Sequence, residues 1–144
     1  MQATLGKSVM YHNILVPVVF DNEHDITAPV KLAGILKTPD AKITFLHVIE
    51  HVPSYAISYI PPELQDELRV GIRHELDKLA KRLPGAEGHV VEGHSGRTIV
   101  EYASEHRNDL NIIASHRPGL EDYFLGSTAS HVVRHASCAV HVVR

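Results

Sequence analysis

The sequence has no tryptophan, three phenylalanines and a single cysteine in 144 residues. Cys138 therefore has no partner for an internal disulfide, and the chain does not read as a disulfide-built secreted scaffold. No apolar run reaches the length of a membrane span. The first ten residues include Gln2, Lys7 and Ser8 and lack the apolar centre of a signal peptide. A cytoplasmic protein with no membrane partner is expected. Positive charge is also scarce: 14 Lys and Arg stand against 17 Asp and Glu, for a net charge of -3. Basic residues are scattered, so a nucleic-acid-binding surface is not expected. The chain holds no Gly-x4-Gly-Lys-[Ser/Thr] loop, and no Gly-x-Gly-x-x-Gly follows its first apolar run, which argues against a P-loop NTPase or an ordinary dinucleotide enzyme. Ser115 and His116 are adjacent but sit in no Gly-x-Ser-x-Gly elbow, so they are not read as nucleophile and base.

What is present suits one ordinary domain. Hydrophobic residues make up 44% of the chain and charged residues 22%, enough apolar material for a core without metal or disulfide. Residues 1–144 are expected to form a single domain, with 1–11 as a flexible N-terminal extension. Twelve histidines make the net charge sensitive to mild acid.

The run from Asn13 to Phe20 is apolar without alternation, as in a parallel strand covered on both faces. A polar stretch, Asp21 to Asp25, leads to a short helix over Ala28–Leu36, stopped by Thr38-Pro39-Asp40. Lys42–Ile49 reads as a second strand, and His51–Pro61 as an ordered loop carrying Tyr55 and Tyr59. These tyrosines either close over a ligand ring or pack within the loop. Leu64, Leu68, Ile72, Leu76, Leu79 and Leu83 form one apolar stripe on a helix from Pro62 to Leu83, read as core, with Pro84-Gly85 ending it. A third strand, Gly88–Glu92, is followed by the turn Gly93-His-Ser-Gly96 and a helix over Thr98–His106. A fourth strand, Asp109–Ala114, a loop to Leu125, a helix over Ser127–His135 and a last strand, Ala139–Val143, complete the chain. Strict alternation of strand and helix predicts an α/β fold: a doubly wound five-stranded parallel sheet with helices on both faces, Rossmann-like in layout.

The C-terminal third carries the chemistry. A strand end, a turn-rich loop and a helix start at Ser127 together offer free backbone N–H groups and the positive end of a helix dipole. Gly126 lets an oxygen approach closely, Ser127 and Thr128 add hydroxyls, and Arg117 offers a guanidinium fork for phosphate. From these residues alone, a bland alternative stays open, in which Gly126 turns the chain and Ser127 caps the helix. His131 and His135 have the i, i+4 spacing of a metal pair, but no third ligand converges, and solvated surface histidines are favoured. His47, inside a strand, is expected to be a hydrogen-bonded core or pocket histidine, and Cys138 a small buried thiol.

Several segments together resemble the universal stress protein family: Ile112-Ile-Ala-Ser-His-Arg-Pro-Gly119, Leu125-Gly-Ser-Thr-Ala129, Val132-Val-Arg-His-Ala136 and Ala139-Val-His-Val-Val-Arg144. Ile14-Leu-Val-Pro-Val18, Phe45-Leu-His-Val-Ile49 and Val91-Glu-Gly93 fit the same pattern. The resemblance implies an adenine nucleotide alpha hydrolase-like fold, a homodimer paired through the strand Ala139–Val143, and a site for ATP, with AMP or ADP as relatives and Mg²⁺ as companion. By motif position, Pro17, Val18, Val19 and Val48 would flank the adenine. Ala114, Ser115, His116 and Arg117 would follow the ribose and phosphates, and Gly126, Ser127 and Thr128 would hold the terminal phosphate. The sequence departs from the family's ATP-binding pattern in three ways. Ala114 and Arg117 replace glycines, eight residues rather than nine separate Arg117 from Gly126, and Val19 replaces an aspartate, with Asp21 two residues on. Ala-Ser-His-Arg-Pro resembles a subgroup within the family. The implied function is a stress-response regulator that holds nucleotide without fast turnover. The alternatives are a homodimeric interaction module without nucleotide and a slow ATPase, for which no general base or Mg²⁺ carboxylate can be named.

Overall fold

A computed structural model of the chain describes residues 10–20, 26–51, 53–115 and 125–144. Five strands, β1 (Tyr11–Pro17), β2 (Lys37–Ile49), β3 (Ala86–Glu92), β4 (Leu110–Ala114) and β5 (Ala139–Val143), form one sheet in the order β3-β2-β1-β4-β5, and every neighbouring pair is parallel. The helices are α1 (Thr27–Leu36), the one-turn α2 (Ser54–Ile57), α3 (Pro62–Ala80), α4 (Ser95–Glu105) and α5 (Ser127–His135).

Alternation along the strands builds two apolar layers. Ile14 and Val16 of β1, with Ile43 and Phe45 of β2, face α1 and α3; Leu15 and Leu46, with Ile113, face α4 and α5. Ile14, Leu15 and Val16 are all fully buried, so the unbroken apolar run is that of a central strand covered on both sides. This is the doubly wound arrangement expected from the sequence. Two glycines make it possible at close quarters. Gly85 has φ +79, and a Cβ there would meet the Ala41 carbonyl oxygen at 2.5 Å; at Gly96 a Cβ would press on His131 at 2.9 Å, where α4 meets α5.

Several boundaries differ from the sequence expectation. β1 starts at Tyr11, inside the segment expected as an extension, and ends at Pro17 rather than Phe20. Residues 1–9 lie outside the described residues. Thr38-Pro39-Asp40 belongs to β2 and does not separate a helix from a strand. Pairing with β1 jumps from Tyr11↔Lys37 to Asn13↔Lys42, so the residues between bulge out of the ladder and Pro39 has no N–H to contribute there.

The stripe on α3 is only half core. Leu76 and Leu79 are buried, but Leu64 and Leu68 are 47% and 58% exposed. The first turns of α3 therefore do not pack into the core as expected. Tyr55 and Tyr59 are also exposed, which excludes packing as their role within the loop. Among the described residues no helix is long and apolar enough to cross a membrane.

Candidate functional site

The strand order reverses between β1 and β4, and in an open parallel sheet a crevice forms at that point beyond the carboxyl ends of the strands. A cleft of about 140 Å³ lies there, as bounded by the described residues. Pro17, Val18 and Val19 from the end of β1, Val48 from β2 and Ala114 from β4 form its apolar wall, with Thr128 of α5 on the helix side. A dry cavity of about 150 Å³ accommodates a benzene ring, so this space suits a flat ring system.

Six of the residues expected at a site thus meet in one place. Ser115 lies behind them, 2% exposed, its N–H donated to the Val143 carbonyl at 2.8 Å. Gly126 and Ser127 form the start of α5. His116, Arg117 and Asp21 lie outside the described residues.

The start of α5 has a definite geometry. Gly126 is the N-cap residue with φ -59, so it is not in a left-handed conformation, and its N–H is committed to the Ser115 carbonyl at 2.7 Å. Its value is the absence of a side chain at the mouth, not a positive φ. The first intrahelical bond runs from Ser130 N–H to the Gly126 carbonyl at 2.8 Å. The N–H groups of Ser127, Thr128 and Ala129 therefore precede the ladder, and among the described residues no side chain caps them. Ser127 does not serve as the cap that a bland reading of Gly126-Ser127 requires.

Ser95, Ile99, Ile26, Pro29, Leu46 and Ile113 complete the cleft and were not expected there. Ser95 was legible in principle, because it belongs to the turn after a parallel strand, which falls at the same end of the sheet. Its N–H and Oγ both donate to Glu50 Oε1, at 3.3 and 2.5 Å. The Ser95 hydroxyl is the main reason the Glu50 carboxyl is held below the ordinary carboxylate range.

His47 is a hydrogen-bonded histidine behind the wall, as its strand position suggested: its Nδ1 lies 2.9 Å from the Val18 carbonyl oxygen. His131 and His135 approach with ring centroids 4.3 Å apart, but no group of three or more metal-ligating side chains gathers among the described residues. Cys138 is half-buried, and that burial pushes its thiol pKa up, away from a reactive thiolate.

The model of the universal stress protein family matches residues 10–144. The chain belongs to this family. Universal stress protein A homolog 2 of Coxiella burnetii is 30% identical over 140 residues, covering 93% of this chain and 95% of its own. Universal stress protein G of Salmonella typhimurium is 30% identical over 144 residues, covering 94% and 100%. Among solved structures, the universal stress protein UspA from Lactobacillus plantarum is 26% identical with a TM-score of 0.70, covering 95% of this chain and 100% of that one.

Three more distant universal stress proteins share the fold and were solved with nucleotides. One is in complex with cAMP (24% identical, TM-score 0.58, covering 94% and 98%). The protein from Archaeoglobus fulgidus is in complex with dAMP (16%, 0.60, 94% and 99%), and one from Arabidopsis thaliana has AMP bound (21%, 0.60, 92% and 90%). The universal stress protein fold is the Rossmann-like, adenine nucleotide alpha hydrolase type, and the sheet order found here is that fold.

Proposed function

We propose that this protein is a stress-response regulator that binds an adenine nucleotide in the cleft between β1 and β4, with ATP as the preferred form. The base lies against Pro17, Val18, Val19 and Val48, the ribose and inner phosphates run along Ala114 to Arg117, and the outer phosphate reaches Gly126, Ser127 and Thr128. The observation that carries this reading is the start of α5, which no described side chain caps, beside an apolar cleft at the switch point of the sheet. AMP, dAMP and cAMP, the ligands of the three distant relatives, share an adenine ring and a phosphate, the two groups this pair of features suits. ATP enters with Mg²⁺ held by its phosphate oxygens. No residue is assigned a catalytic role, and slow turnover or none is expected.

The protein is further proposed to act in the cytoplasm as a homodimer through β5. β5 is an edge strand whose residues Ala139–Val143 carry no carboxylate, whereas the opposite edge, β3, bears Glu87 in an ion pair with Lys42 and Glu92 in one with Arg69. An uncharged edge is the one fitted to pair with its own copy.

A second reading, a dimeric module without nucleotide, is favoured by one observation. Val19 stands 45% exposed at the cleft where an aspartate would bind the nucleoside. Calorimetric titration with ATP, ADP and AMP separates the two. Binding of one nucleotide per protomer, tightest for ATP, is expected; no heat with any of the three leaves only the dimeric module. Light scattering should report a dimer or a multiple of one, and a monomer at micromolar concentration would remove β5 as the interface.

A further inference from the structure

The wall of the cleft at Val18 and Val19 lies beyond the end of β1, where no strand ladder holds it. Two bonds to β2 fix it there. Val18 N–H donates to the Leu46 carbonyl at 2.9 Å, and His47 Nδ1 lies 2.9 Å from the Val18 carbonyl oxygen. A carbonyl can only accept, so Nδ1 carries a proton and the neutral ring is in the Nδ1–H tautomer. Phe20 stacks on the His47 ring, with centroids 5.8 Å apart and planes inclined by 28°, which anchors the next residues as well. His47 follows Leu46 on β2, so its ring lies on the opposite face from Leu46 and Val48, the β2 residues that line the cleft. It stands behind the wall rather than in it.

We infer that His47 is a positioning residue for the nucleotide cleft: its Nδ1–H sets the backbone of Val18 and thereby the surface that Val18 and Val19 present to the base. This rests on the proposed nucleotide reading. It also explains why neither polar group of the Val18 backbone faces the cleft. The N–H and the carbonyl are both consumed by β2, so the wall offers apolar surface to the flat face of a ring.

Two substitutions separate the donor from the ring. His47→Asn keeps an N–H donor near the position of Nδ1 but loses the ring; His47→Phe keeps a ring against Phe20 but loses the donor. Amide hydrogen exchange at Val18 and calorimetric ATP titration are measured on both variants and on the wild-type protein. In His47→Phe, faster exchange at Val18 and ATP affinity lower on the order of tenfold are expected, since a buried carbonyl is left without its donor. His47→Asn is expected to stay close to wild type in both. Equal ATP affinity in all three proteins, or an equal loss in both variants, overturns the inference. Should the wild-type protein bind no nucleotide, the proposed function fails, and the exchange rate alone decides whether His47 holds the wall. An unchanged Val18 rate in His47→Phe overturns that too.

Discussion

α4 and α5 start at the same end of the sheet, each after a parallel strand, and neither has an acidic residue in its first turn. They differ in what meets their free N–H groups. At α4, Glu50 reaches across from the end of β2 and takes both the N–H and the hydroxyl of Ser95 on one oxygen. At α5, Gly126 brings no side chain, and among the described residues no side chain meets the N–H groups of Ser127, Thr128 and Ala129. The positive end of a helix dipole favours an anion in both places. One helix receives a carboxylate from the protein itself, and the other opens beside an apolar cleft. The phosphate of a nucleotide is therefore expected at α5, although Ser95 of α4 also lines the cleft.

The strongest way to break this contrast is to block the open helix end. In Gly126→Val the branched side chain stands at the approach to the three N–H groups. Because φ at Gly126 is -59, a side chain there is tolerated by the backbone, and the fold is expected to survive. ATP affinity should fall by at least about a hundredfold, the equivalent of roughly 2.7 kcal/mol, with an unchanged circular dichroism spectrum. Retained affinity in a folded variant would move the phosphate away from α5.

A smaller effect is expected from opening the closed end. Glu50→Ala leaves Ser95 N–H without its acceptor and should cost about 0.5–1 kcal/mol, or roughly 2–4 °C in Tm, a cap-sized loss reduced by the exposure of the group. The folded state holds the Glu50 carboxyl below its ordinary value, so folding favours the ionised form. Its stabilisation is complete above about pH 4.3 and is lost as pH falls through the lowered value. The Tm gap between wild type and Glu50→Ala should therefore close in acid. A gap that persists below that range would show that the carboxylate charge is not what closes α4.

The same contrast shows what the sequence made legible. α5 and β5 have the boundaries that Gly126-Ser127 and the apolar run Ala139–Val143 suggest, because their signals are local. α4 was expected at Thr98 and starts at Ser95, because the carboxylate on its first turn comes from Glu50, 45 residues away in sequence. No local pattern contains that partner. The end of β1 was placed too late for a related reason. Val18 and Val19 continue the apolar run of the strand, but they serve the cleft wall, and Val18 is held by Leu46 and His47 rather than by a ladder. The apolar stripe keeps spacings of four and three from Leu64 to Leu83, and periodicity alone carries no sign that Leu64 and Leu68 remain exposed. The family resemblance supplied the composition of the cleft, and the open state of α5 became visible only from its hydrogen bonds.

The most direct test is a titration of ¹⁵N-labelled protein with ATP, followed amide by amide. Shifts are expected at Ser127, Thr128 and Ala129 together with Val18 and Val19, while the amide of Ser95, already bonded to Glu50, moves little. Saturating shifts centred on Ser95 and Gly96, with Ser127 to Ala129 unmoved, would contradict a phosphate site at α5.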